Sequence, residues 1–97
     1  MNQQLINEYI QWSHETFGDE RWLDVLSKLR NEEVWEFRKA VVLDSRTEQA
    51  NELADCFLLM FKMAHLTGFN LKDIEAAMAK KLIELHNRTY IEGKKIK

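Results

Sequence analysis

The chain contains no proline and three glycines among its 97 residues. Little in it interrupts a helix, so long continuous helices are expected. A single cysteine, Cys56, excludes an internal disulfide framework and cannot by itself build a thiolate metal site. No apolar run is long enough to span a bilayer, and the start, MNQQLINEYI, lacks the positive and apolar regions of a signal peptide. No membrane partner is therefore expected, and the cytoplasm is the expected location. Basic runs are missing as well. Apart from the tail Gly93-Lys94-Lys95-Ile96-Lys97, which reads as a frayed, solvated end, no cluster of lysine and arginine is interleaved with aromatics. The formal net charge is −2 and the isoelectric point is near 5.9, so no nucleic-acid partner is expected.

What is present reads as one domain over residues 1–97, without linker, repeat or low-complexity stretch. The first helix is expected over about residues 2–15, with Leu5, Ile6, Tyr9 and Trp12 at helical spacing. Gly18 supplies a left-handed stop and Asp19 a cap for a second helix over about residues 20–43. Trp22, Leu26, Leu29, Phe37 and Ala40 form the apolar stripe of that helix. Ser45 with Glu48 has the form of a capping box for a third helix over about residues 47–66, which ends at Gly68. Asn70 with Asp73 caps a fourth, running through Lys80, Lys81 and Leu82 towards Tyr90. The segment ELADCFLLMFKMAHL is apolar nearly all round, and a helix with no polar face is expected at a bundle centre and against a second subunit. The fold class is all-α, a four- to five-helix antiparallel bundle that oligomerises to enlarge its buried surface.

Carboxylates stand out against this apolar pattern. At about 100° per residue, Glu33 and Glu36 share a face within the stripe of the second helix, and Glu52 and Asp55 repeat the three-residue spacing on the third. Four inward carboxylates carry a heavy cost from desolvation and mutual repulsion. Favourable Glu-to-Lys pairs four residues on are missing, since Phe37, Ala40, Cys56 and Leu59 occupy those positions. Arg30 and Lys39 offset part of the charge from three residues away. A divalent cation is the economical counterpart, and oxygen ligands without histidine or cysteine suit Mg²⁺, with Mn²⁺ as the alternative, better than zinc. No Glu-x-x-His occurs in the chain, which argues against the di-iron bundles that also carry acids on facing helices. His14, His65 and His86 are scattered. Magnesium held by a few carboxylates completes its shell with phosphate oxygens, which points to phosphate-ester chemistry. Glu32 either accepts the proton of an attacking water or pairs with Lys28 one turn earlier.

Glu32-Glu33-x-x-Glu36 followed by Glu52-x-x-Asp55 resembles the E-E-x-x-E and E-x-x-D motifs of the MazG-like all-α nucleoside triphosphate pyrophosphohydrolases. QWSHETFG and ELADCFLLMFKMAHLTGF are similar to segments of a dATP/dGTP pyrophosphohydrolase branch found in phages and prophages. The resemblance covers about residues 11–90. It implies Mg²⁺-dependent hydrolysis of a (deoxy)nucleoside triphosphate to the monophosphate and pyrophosphate, by a homodimer or homotetramer. It also implies metal ligation by Glu33, Glu36, Glu52 and Asp55, with Glu32 in support and Glu32, Glu33 and Glu36 in the catalytic set. Near the end of the last helix, Lys81, Arg88 and Tyr90 match phosphate- and nucleotide-binding positions of relatives. Leu85 stands where their asparagine is expected, and Asn87 lies two places later. Trp12 and Phe17 are candidates to stack on the base. Trp35 lies off the carboxylate face and is expected to pack against another helix or a partner subunit, and Cys56 is expected to be a small buried residue. A reading from another class remains, a helical oligomer that binds nucleotide or a protein partner without hydrolysing it. A carboxylate site serving another diphosphate, such as a nucleotide sugar, differs only in substrate.

Overall fold

A computed structural model describes residues 2–88 with their side chains, and the backbone of Tyr90–Ile91 and Lys94–Lys95. The fold is all-α: α1 (Gln3–Phe17), α2 (Trp22–Lys28), a π turn (Leu29–Glu33), α3 (Val34–Val42), α4 (Arg46–Leu66) and α5 (Leu71–His86). The segments α2, π turn and α3 follow without a break, so the described residues form four helical rods, as the scarcity of helix breakers led one to expect.

The rod ends follow local chemistry. The Asn2 side chain accepts from the Gln4 N–H, and Gly18 closes α1 at φ 74° with its N–H on the His14 carbonyl. Asp19 does not cap the second helix. Arg21 takes the cap position, and its guanidinium first, then its backbone N–H, which donates to the Asp24 carboxylate at 3.1 Å, hold the Asp24 carboxyl below the usual carboxylate range. Rod two ends at Val42, where Asp44 enters the left-handed region at φ 53° and the Ser45 N–H reaches the Ala40 carbonyl at 3.2 Å. Aspartate tolerates that conformation better than most residues. Ser45 then caps α4 by accepting from the Glu48 N–H. Asn70 and Asp73 form the reciprocal capping box of α5. That helix stops at His86 rather than continuing towards Tyr90. Beyond it, aromatic Tyr90 and β-branched Ile91 favour extended backbone and pair antiparallel with Lys94–Lys95, so part of the expected frayed tail is an ordered ladder.

Helix α4 is the centre of the assembly, with α1, α2, the π turn and α3 all packed against it. Ile6, Val25, Ala40 and Leu59 are buried where these rods meet. The carbonyl of Ala40 also accepts from the Gln49 side chain, tying α3 to α4. Helix α4 is central, as expected, and the described residues of this chain cover one face of it. Leu53, Phe57 and Met60 are exposed, because no described element lies over them. Trp22 likewise leaves the expected stripe and stands exposed, with Val25 buried in its stead.

Helix α5 stands apart. Its first turn is anchored by buried Leu71, whose N–H donates to the Gln3 side chain at 2.8 Å. Further along, Met78, Leu82, Ile83 and Leu85 are exposed. The Cα radius of gyration, 16.2 Å, exceeds the roughly 13 Å of a compact domain of this length. No described helix is long and apolar enough to cross a membrane.

Candidate metal centre

The π turn and the first half of α4 bring three carboxylates together. Glu33, Glu52 and Asp55 each offer an oxygen, and the three oxygens lie within 4.8 Å of one another. The setting differs from the expected interior. Glu33 and Glu52 are half-buried, while Asp55 and Glu36 are exposed, so the cluster lies at the surface where the π turn meets α4. Glu36 lies outside the triad and pairs with Lys39 at 3.8 Å, yet its charge still acts on Glu52. Arg30 makes no ion pair among the described residues.

The electrostatics are those of anions lacking a counterpart. Burial first, then the charges of Asp55 and Glu52, pushes the Glu33 carboxyl above its ordinary range. Burial, then Asp55 and Glu36, does the same to Glu52. Half-buried Cys56 has its thiol pushed up by burial and by Glu33, Asp55 and Glu52 in turn, so it is no thiolate ligand. Around an octahedral Mg²⁺ at about 2.1 Å, neighbouring oxygens stand about 3 Å apart and opposite ones about 4.2 Å. The triad fits such an ion after side-chain shifts on the order of an ångström. Glu33, Glu52 and Asp55 are the residues that can hold it.

Raised carboxyl pKa values have a sign. A group whose folded pKa exceeds its unfolded value favours folding when protonated, and that contribution is lost as pH rises through the folded pKa. For Glu33 and Glu52 the loss falls at and above the ordinary carboxylate range. A cation that binds only the folded, deprotonated cluster reverses it. Thermal melts are therefore expected to show a larger gain from Mn²⁺ at neutral pH than in acid below the carboxylate range. An equal gain at both would contradict binding at these carboxylates.

Three further side chains matter to the site, Tyr9 and Lys28 beside the cluster and Lys62 farther along α4, and of these the sequence singled out only Lys28, as a partner for Glu32. Tyr9, half-buried on α1, has its phenol pushed up by burial and by the charges of Glu20, Asp55 and Glu33. Lys62, on α4, is only 5% exposed and contacts both the Ser13 hydroxyl and the Glu20 carboxylate. This bridge fixes the end of α1 and the following turn on α4. Lys28 makes no ion pair with Glu32 among the described residues. Its ammonium lies 4.8 Å from the Phe17 ring centroid. Periodicity could have suggested Tyr9, which stands one turn before Ser13. Lys62 gave no signal, since a lysine in an apolar helix ordinarily carries its ammonium out to water.

Trp12 and Phe17 meet edge to face, 5.7 Å between centroids, and both are about half exposed. Trp12 and Tyr9 also line an apolar groove of about 500 Å³ with Leu5, Phe57 and Phe61. Lys81 and Arg88 both pair with Glu84, at 3.6 and 3.9 Å. Asn87 caps the end of α5, and the side chain of Tyr90 lies outside the described residues. Since α5 is anchored by its first turn, Lys81, Asn87 and Arg88 are not packed onto the acidic rods among the described residues. Trp35 is exposed, with the Arg38 guanidinium 5.1 Å from its ring centroid, so no described helix covers it.

Residues 2–82 match the family model described as phosphoribosyl-ATP pyrophosphohydrolase. The chain belongs to this family. Phosphoribosyl-ATP pyrophosphohydrolases fall within the MazG-like all-α NTP pyrophosphatase superfamily, in agreement with the resemblance read from the acidic motifs. No curated protein and no solved structure matches the chain. Membership makes the chain an enzyme of the pyrophosphohydrolase class acting on nucleotides. Members of the superfamily typically use a divalent metal, and the acidic triad is the part of this chain with the chemistry to hold one.

Proposed function

We propose that the protein hydrolyses a (deoxy)nucleoside triphosphate, dATP or dGTP being the leading candidates, to the monophosphate and pyrophosphate with Mg²⁺ or Mn²⁺. The observation that carries this reading is the convergence of Glu33, Glu52 and Asp55 in a chain of the pyrophosphohydrolase family. Phosphoribosyl-ATP is a second substrate reading, favoured by the description of the matching family. A bound divalent ion would neutralise phosphate oxygens and acidify a water. Glu33, Glu52 and Asp55 hold that charge in place, and Glu36 joins them by leaving Lys39. Glu32, exposed and free of Lys28, accepts the proton of the attacking water. Trp12 offers an exposed ring to the base beside the Tyr9 groove.

The same reading takes the active form to be a homodimer or homotetramer in the cytoplasm. Isolated helices of about 15 residues are marginal in water, and α5 presents Met78, Leu82 and Ile83 to no partner within the described chain. Lys81, Asn87, Arg88 and Tyr90 then contribute phosphate and nucleotide contacts across a subunit interface.

A panel of dATP, dGTP, other triphosphates and phosphoribosyl-ATP, incubated with Mg²⁺, tests the reaction. Pyrophosphate and the matching monophosphate should accumulate together. Release of orthophosphate alone, or no product from any member, would overturn it.

A further inference from the structure

We propose that Lys28 is a substrate-binding residue whose ammonium contacts the terminal phosphates of the nucleotide, and that the π turn is what places it there. The inference rests on the triphosphate reading of the acidic cluster and adds to it the group that receives the leaving pyrophosphate.

The argument begins with register. In an α-helix, residues five apart point to different sides, so Lys28 and Glu33 would diverge. The π turn Leu29–Glu33 carries an i→i+5 bond from the Val34 N–H to the Leu29 carbonyl, and such a turn stacks residues five apart as an α-turn stacks residues four apart. Lys28 and Glu33 thereby come to one side of the rod. On its other side the ammonium lies over the Phe17 ring at 4.8 Å.

Lys28 is half-buried and makes no ion pair with a carboxylate among the described residues. An ammonium held by an aromatic face at the edge of an anionic cluster keeps its donors for an anion arriving later. A polyphosphate chain anchored at the triad extends naturally to it. Phe17 then serves as the seat of Lys28, which leaves Trp12 as the stacking surface.

The test compares wild type, Lys28→Met and Lys28→Arg in calorimetric titrations with Mn²⁺ alone and then with inorganic pyrophosphate on the Mn²⁺-loaded protein. Lys28→Met should weaken pyrophosphate binding at least about tenfold, and Lys28→Arg should restore most of it. Binding of Mn²⁺ alone should be unchanged or tighter in Lys28→Met, because a repelling cation has been removed. A general distortion would weaken both together and overturn the assignment. So would equal pyrophosphate binding by all three proteins, including none by any. Wild-type protein that turns over no triphosphate would sink the parent reading alone, since the pyrophosphate titrations still decide the role of Lys28.

Discussion

Asp55→Asn is expected to reduce pyrophosphate release by at least about a thousandfold, equivalent to about 4 kcal/mol of transition-state stabilisation. Asparagine keeps the shape of aspartate and one of its oxygens but loses the charge, and charge is what a hard divalent ion requires of this position. Asp55 is the exposed member of the triad, and its charge is the leading electrostatic influence on both Glu33 and Glu52. Its neutralisation therefore relieves the repulsion that makes the cluster seek a cation. The apo variant should be no less stable than wild type while its activity collapses. Glu36→Gln should cost less, about 10- to 100-fold, because Glu36 stands outside the triad and pairs with Lys39. Steady-state rates alongside melts of the apo proteins check this ordering. Full activity in Asp55→Asn would remove Asp55 from the site.

The second large effect is structural. Lys62→Met should destabilise the fold by about 2–3 kcal/mol, lowering the melting temperature by about 10–20 °C. Methionine fills the space of the lysine stem, but the Glu20 carboxylate and the buried Ser13 hydroxyl lose their cation. Glu20 retains some solvent, its side chain being 23% exposed, which keeps the cost at the lower end of what breaking a buried pair entails. A double-mutant cycle gives the clearest measure. Once Lys62 is methionine, Glu20→Gln should recover part of the loss, because no unpaired charge remains. Additive losses would mean that the two side chains are not energetically coupled. The functional consequence runs through Phe17 and Trp12, which this bridge holds beside the acidic rods.

The sequence carried the helix order well, and the reasons are local. Gly18, Ser45 and the Asn70–Asp73 pair are cap residues whose chemistry acts within one turn, so their roles were readable without the fold. The E-x-x-D spacing placed Glu52 and Asp55 on one face of α4, and the structure brings Glu33 to them. Glu36 follows Glu33 on regular α-helix yet stays outside the triad, its carboxylate paired with Lys39, and the change of angle along this rod lies before Glu33. A reading at 100° per residue runs straight through residues 29–33, where the π turn resets the register. That same turn moves Lys28 from a helix partner of Glu32 to the side of Glu33.

Exposure was the other blind spot. Helical periodicity finds apolar faces on Leu53, Phe57, Met78 and Leu82, but not what covers them. Lys62 was hidden for a related reason. Its partners Ser13 and Glu20 are 49 and 42 residues away in the chain, and no local pattern reports such a contact.

Calorimetric titration of Mn²⁺ and Mg²⁺ into wild-type protein, Glu33→Gln, Glu52→Gln and Asp55→Asn is the most direct test of the metal centre. Wild type should take up the ion saturably near neutral pH, and each substitution should weaken that uptake by at least about tenfold. Equal uptake by all four proteins, or none by wild type, would contradict the assignment of these carboxylates to a cation.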